Sequence, residues 1–229
     1  MDLDTRLKVL EELYRIYNEF AGTLDVACRK HCVACCTDKV VVTTLEGYRM
    51  ISGLEDDLRS QFFETLHQGL SPTRFKPRLT TNRLAELCMK DGDVPEEEMD
   101  SEGGGCAFLV DDACPLYANR PFACRCMLST TDCNKTGYAE MDAFVVTVNN
   151  VFLQYIEHID AGGCSGNLTD VLVVFASEEN RQLYCDNQLA CPAFSLVANQ
   201  PIPALMIPPN QREKIEPILK AIQGIRVAA

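Results

Sequence analysis

Cysteine dominates what this sequence can do chemically. Four thiols fall within nine residues, as Cys28-x3-Cys32-x2-Cys35-Cys36. A second group runs Gly105-Cys106-Ala107-Phe108-Leu109, then Asp112-Ala113-Cys114-Pro115-Leu116-Tyr117, then Asn119-Arg120-Pro121-Phe122-Ala123-Cys124-Arg125-Cys126. Thiolates bind soft or borderline metals, and short spacing lowers the entropic cost of closing a coordination ring. Thiols packed this tightly would repel one another as anions unless a cation or cluster neutralised them. Metal binding is the expected chemistry. Scattered thiols more often serve as small apolar residues, and Cys126, Cys133, Cys164, Cys185 and Cys191 are each expected to be structural. His31 lies inside the first group as a secondary candidate ligand, whereas His67 and His158 sit in helical patterns without partners.

The elements that must position these thiols can be read from periodicity. Leu3, Leu7, Leu10, Leu13, Tyr14, Tyr17 and Phe20 share one helical face, predicting a helix over 2–22. Lys39 to Thr44 reads as a short strand, and Thr43 with Glu46 matches a capping box opening the next helix. Two short helices are expected from Leu45 to Leu70, broken near Gly53, and another from Thr80 to Lys90. Met141 to Ile159 carries a long apolar face that Gly162-Gly163 ends. Thr169 to Tyr184 reads as one helix, although Val171 to Phe175 alone would also suit a buried strand. Four prolines mark 199–209 as an extended strap before a last helix over 210–223. The expected fold is mainly α with a few short strands and irregular metal-binding loops, in a single compact domain. Residues 1–198 form its metal-binding part, with the motif core at 24–130, and the strap and final helix of 199–229 pack on it.

Composition narrows the partners. The net charge of −12 argues against general nucleic-acid or anionic-membrane binding, which needs clustered Lys and Arg. The longest apolar stretch, Ala143 to Ile156, is too short to span a bilayer and contains Asn149, Asn150 and Gln154. The acidic start resembles no secretory leader, so a cytoplasmic, reducing setting is expected, in which thiolate ligands outweigh disulfides. The count of 13 cysteines is odd, which fits poorly with full pairing. The acidic loop 91–105 does not read as a calcium loop, because Glu96 stands where the turn glycine belongs and Pro95 replaces a ligand.

Cys106, Phe108, Leu109, Cys114, Tyr117, Arg120, Pro121, Cys124 and Arg125, following a CxxCxxCC-type run, are a long ordered match. On these residues the chain resembles the cysteine-cluster proteins described as zinc- or iron-chelating, the YkgJ-like group, over roughly 24–130. The first run departs slightly, with three residues rather than two after Cys28. The resemblance implies a metal centre with ligands Cys28, Cys32, Cys35, Cys36, Cys106, Cys114 and Cys124. Seven thiols exceed the four that one tetrahedral zinc takes, so they suit a four-cysteine iron–sulfur cluster with spare thiols, or two metal sites. Only Cys32-x2-Cys35 has the form of a zinc-knuckle pair, which favours iron in a [4Fe–4S]-type cluster over zinc. Arg120 and Arg125 are expected beside the centre, offsetting thiolate charge and donating hydrogen bonds to sulfur.

Three classes of function follow. The first is metal binding without catalysis, for structure, storage or electron transfer, with a protein redox partner. The resemblance extends distantly to flagellin lysine N-methylases, implying as an alternative a lysine methylase-like enzyme that uses S-adenosylmethionine on a protein substrate. The first triplet also resembles the radical S-adenosylmethionine signature, but no strand–helix series for a partial barrel accompanies it. A thiol oxidoreductase using Cys32-x2-Cys35 would want that motif opening a helix after a strand, and here a helix precedes it.

Overall fold

The protein is described here by a computed structural model covering all residues except 30, 56–58, 61, 65, 67–73, 97–103, 195 and 228–229, and excepting the side chains of 192 and 193. Helix α1 spans Leu3–Ala21 and is started by Asp2, whose carboxylate accepts a hydrogen bond from the Thr5 amide at 2.8 Å. Its apolar face buries Leu10, Leu13, Tyr14 and Tyr17 against α6, Ala143–Ile159, and α9, Arg212–Gln223. The Tyr17 ring meets Phe122 and Phe152 edge-on at 4.6 and 5.2 Å, within the range where aromatic quadrupoles attract. Ile215 and Ile222 of α9 complete this first core cluster.

A second cluster forms around a small antiparallel sheet of order β1-β2-β3, made of Val41–Thr43, Cys164–Asn167 and Val197–Ala198. Val42 pairs with Gly166, and Ser165 with Val197. The first two strands each run straight into a helix: α2, Thr44–Ser52, and α7, Leu168–Val174. Thr43 and Glu46 form the expected capping box, and the Asn167 side chain accepts from the Thr169 amide at 3.0 Å. Gly47 lets α2 and α7 approach, since a Cβ there would lie 2.5 Å from Val171 Cγ1. Between α2 and α6 lies α3, Thr81–Met89, close to its predicted span.

The expectation of one helix over Thr169 to Tyr184 is corrected. Ser177 opens a separate α8, Glu178–Cys185, by accepting from Asn180, and Val171 to Phe175 belongs to no strand. Cys164 and Cys191, expected to be structural, are paired in a disulfide tying β2 to a short 3-10 turn, Cys191–Phe194. The return of the chain through β3 brings them together across 27 residues, which local spacing does not reveal. α2 ends at Gly53 as predicted, and helical residues resume between 59 and 66, but 67–70 lie outside the described residues. So does 97–103 of the acidic loop. Among the described residues no helix is long and apolar enough to cross a membrane.

Two buried carboxylates join the clusters. Asp160, at the end of α6, accepts from Arg6, Thr44, Tyr184 and Asn199 side chains and from the Leu45 amide. Glu46 accepts from the Tyr14 hydroxyl and the Phe122 amide, both at 2.7 Å, linking α1, α2 and the segment leading to Cys124. Glu46→Ala strands these donors in the interior, so urea unfolding should show a loss of about 2–4 kcal/mol.

Candidate metal centre

The first thiol group occupies an irregular stretch between α1 and β1, shaped by short turns. Cys32 donates its amide to Arg29 O at 3.1 Å, and Cys36 to Val33 O at 2.9 Å. His31 holds a left-handed φ of 69°, which few residues other than glycine adopt. The second group is folded by a two-residue reversal. Val110 and Ala113 exchange both backbone hydrogen bonds, at 3.0 and 2.9 Å, across Asp111 and Asp112, which both sit at positive φ. This is the turn geometry that suits a tight hairpin, and aspartate tolerates it better than most residues. It returns Cys114 toward Cys106. Pro121 then starts α4, Phe122–Arg125, which carries Cys124.

Backbone pairing docks the two groups. Cys106 donates its amide to Cys36 O at 3.1 Å, Asp38 donates to Gly104 O at 3.0 Å, and Thr37 bridges Gly105. On the other side, Ala27 donates to Ser129 O at 2.8 Å, and the Ser129 amide donates to Cys28 Sγ at 3.2 Å. Cys28, Cys32, Cys35, Cys36, Cys106, Cys114 and Cys124 all line one cavity of about 660 Å³. Each is half-buried. Phe75, Phe108, Leu116 and Leu153 supply much of its apolar wall.

Burial, the largest cause in each case, raises Cys35, Cys36, Cys106, Cys114 and Cys124 and favours their protonated forms. Burial first, then Cys35, Cys106 and Cys114, push Cys36 up to about 11. Burial pushes Cys124 up further, reinforced by Cys106, Cys36 and Cys114. Cys35 is raised by burial and then by Cys28 and Cys32. A metal must displace these protons, so zinc loading near pH 7 should release about one proton per thiol engaged. The apparent affinity should rise with pH and fall on acidification. Calorimetric titration in buffers of different ionisation heat measures this directly.

Asp38 is the site residue that the sequence analysis missed. It is 6% exposed, and neither carboxylate oxygen has a hydrogen-bond partner among the described residues. Its charge is felt by Cys106. A Cβ on Gly104 would stand 3.0 Å from Asp38 Oδ2, so the glycine makes room for the carboxylate. Asp38 itself is absent from the cavity wall, but a buried carboxylate without a donor calls for a cation, and the neighbouring Cys106 thiol suits zinc or iron. The only signal in the sequence is an acidic residue just after Cys35-Cys36, too common to single out.

The two arginines part company. Arg120 lines the cavity, stacks over the Tyr117 ring at 3.9 Å and lies close enough to Cys114 to favour its thiolate. Arg125 is absent from the cavity wall; it donates to the Arg120 and Ala118 carbonyls and stacks over Tyr14 at 4.5 Å, facing a separate surface cleft. His31 lines the cavity from an exposed position. Among the described residues no three His, Cys, Asp or Glu side chains stand grouped to hold a metal ion. The donors fit zinc or iron in chemistry, and they share one cavity wall without closing into a group.

A family model, CxxCxxCC, described as "Putative zinc- or iron-chelating domain", matches residues 27–145, more than half of the chain. The chain belongs to the CxxCxxCC family. The CxxCxxCC span takes in both thiol groups, Asp38, Cys126 and Cys133, and stops just inside α6. Most of α6, along with α1, two of the three strands and α7 to α9, lies outside it. No curated protein and no solved structure matches the chain.

Proposed function

We propose that this CxxCxxCC protein holds iron as a [4Fe–4S]-type cluster on its cavity thiols and passes electrons to a protein partner, with zinc as the alternative occupant. The observation that carries the reading is the convergence of seven cysteines from two distant stretches on one cavity beside an unpartnered buried carboxylate. The apolar walls and the volume support a cluster over a single ion. A bound cluster supplies one-electron chemistry. The chain would hold it by the seven thiols, and Arg120 would tune it by offsetting thiolate charge beside Cys114.

The test is iron, zinc and acid-labile sulfide content with a visible spectrum, on protein purified without oxygen. About four irons and four sulfides per cluster, with a broad brown absorption lost in Cys32→Ser and Cys35→Ser, is the expected result. Zinc without sulfide would overturn the cluster and keep the metal. A second reading, a lysine methylase-like enzyme, draws on the same cavity, which extends past the thiols to Phe75, Thr81 and Leu168 and leaves room for a small cofactor. Binding of S-adenosylmethionine to the loaded protein would favour it, and lack of binding would remove it.

A further inference from the structure

We propose that the surface cleft between α1, α2 and the 118–125 segment binds a small organic carboxylate, held by Arg49 and Arg125. The cleft measures about 510 Å³, and Glu11, Arg15 and Glu19 line it together with these two arginines. Tyr14 lies beneath, with the Arg49 and Arg125 guanidinium carbons 5.1 and 4.5 Å from its ring centroid. Backbone carbonyls fix both guanidiniums in place. Arg49 donates through Nη1 to Asn119 O at 3.3 Å, and Arg125 through Nε and Nη2 to Arg120 O and Ala118 O at 2.8 and 3.0 Å. Three successive carbonyls thus orient the pair without supplying a negative charge. Arg49 Nη2 and Arg125 Nη1 make no hydrogen bond among the described residues.

Charge selects the ligand. Three guanidiniums against two carboxylates leave one positive charge in the cleft. Arg49 pairs with Glu11, and Arg15 with Glu12 and Glu19, so both cleft carboxylates are engaged. Arg125 has no carboxylate partner among the described residues, in a chain where acids outnumber Lys and Arg by 33 to 21. Glu46 beneath the ring is committed to the Tyr14 hydroxyl and to the Phe122 and Thr43 amides, and it lines no part of the cleft. Guanidinium forks match carboxylates, and one excess charge suits a monoanion better than a phosphate dianion, which Glu11 and Glu19 would repel. Neither a cysteine nor α5, Cys133–Thr136, lines the cleft, so the site stands apart from the metal reading. Its two arginines nevertheless hold the turn whose Tyr117 and Arg120 side chains line the thiol cavity.

The full, unmodified chain is titrated with butanoate, and separately with inorganic phosphate, by calorimetry and by NMR of the arginine Nε–H groups. Butanoate should shift the Arg49 and Arg125 signals together and saturably, and bind more tightly than phosphate. Arg125→Gln removes the charge and should weaken butanoate at least about tenfold. Because Arg125 also holds the 118–120 turn, Arg49→Lys is the second variant: it keeps the charge, loses the fork and should still weaken binding. Lys8→Gln, which removes a surface cation outside the cleft, should change nothing. No saturable shift up to about 50 mM butanoate overturns the site. Tighter binding of phosphate, or an equal loss in Lys8→Gln, overturns the carboxylate assignment in favour of general anion attraction. The titration of the unmodified chain decides the matter even if a variant fails to fold.

Discussion

Chelating the metal from the reduced protein is expected to strip hydrogen-exchange protection from the Cys36, Asp38 and Cys106 amides, while α1, α6 and α9 keep theirs. The two thiol-bearing stretches are held mainly by isolated turns and a few cross-links, such as Cys106 to Cys36 and Asp38 to Gly104. Their cysteines are half-buried, so the apolar anchoring falls to a few side chains such as Phe108, Leu116 and Phe122. Structural thiolate sites contribute apparent binding energies of about 10–16 kcal/mol, far above what these backbone contacts supply. The helices rest on Leu10, Leu13, Phe152 and Ile215, which are buried in the first core cluster and do not line the cavity. Protection at the docked amides should fall at least about a hundredfold on metal removal, and return on reloading. Unchanged exchange would mean that the loops hold their shape without metal.

Asp160→Ala should be among the most damaging single substitutions, costing about 3–5 kcal/mol in urea unfolding at neutral pH. It removes the acceptor shared by four side chains and an amide, and leaves the buried Arg6 guanidinium without a counter-charge. Adding Arg6→Met should recover part of the loss, because it removes the stranded charge. The pH dependence gives a second check. Burial pushes the Asp160 carboxyl up to about 6, against its hydrogen-bond donors and Arg6. In the unfolded chain an aspartate titrates near ~3.9, so between these values the folded state binds the proton more tightly. Stability from this group is therefore fully present below about pH 4 and declines as pH rises through about 6. Asp160→Ala should lack that decline, so its penalty is largest in acid.

Long periodic helices were legible in the sequence, and loop chemistry was legible only as composition. Leu10, Leu13, Tyr14 and Tyr17 place α1 within a residue or so because a wide apolar stripe admits one solution. The Thr43–Glu46 capping box was readable because its donors and acceptors are local. Val171 to Phe175 was ambiguous, since an all-apolar run has no period, and the Asn167 cap in front of it decides for helix. At the site, spacing alone marked the two thiol groups. It could not show that Arg125 turns onto Tyr14, that Cys164 meets Cys191, or that Asp38 is buried without a donor. Each of those depends on partners tens of residues away.

The first core cluster has a consequence for synthesis of the chain. Its walls include residues 10–17 and 215–222, so a ribosome delivers the second set long after the first. At ~5–20 residues per second, roughly 5–20 s separate the emergence of Cys133 from that of Ile222. During that interval α1 is without its α9 partner, and the thiols meet the surrounding solution before the scaffold beneath them has closed.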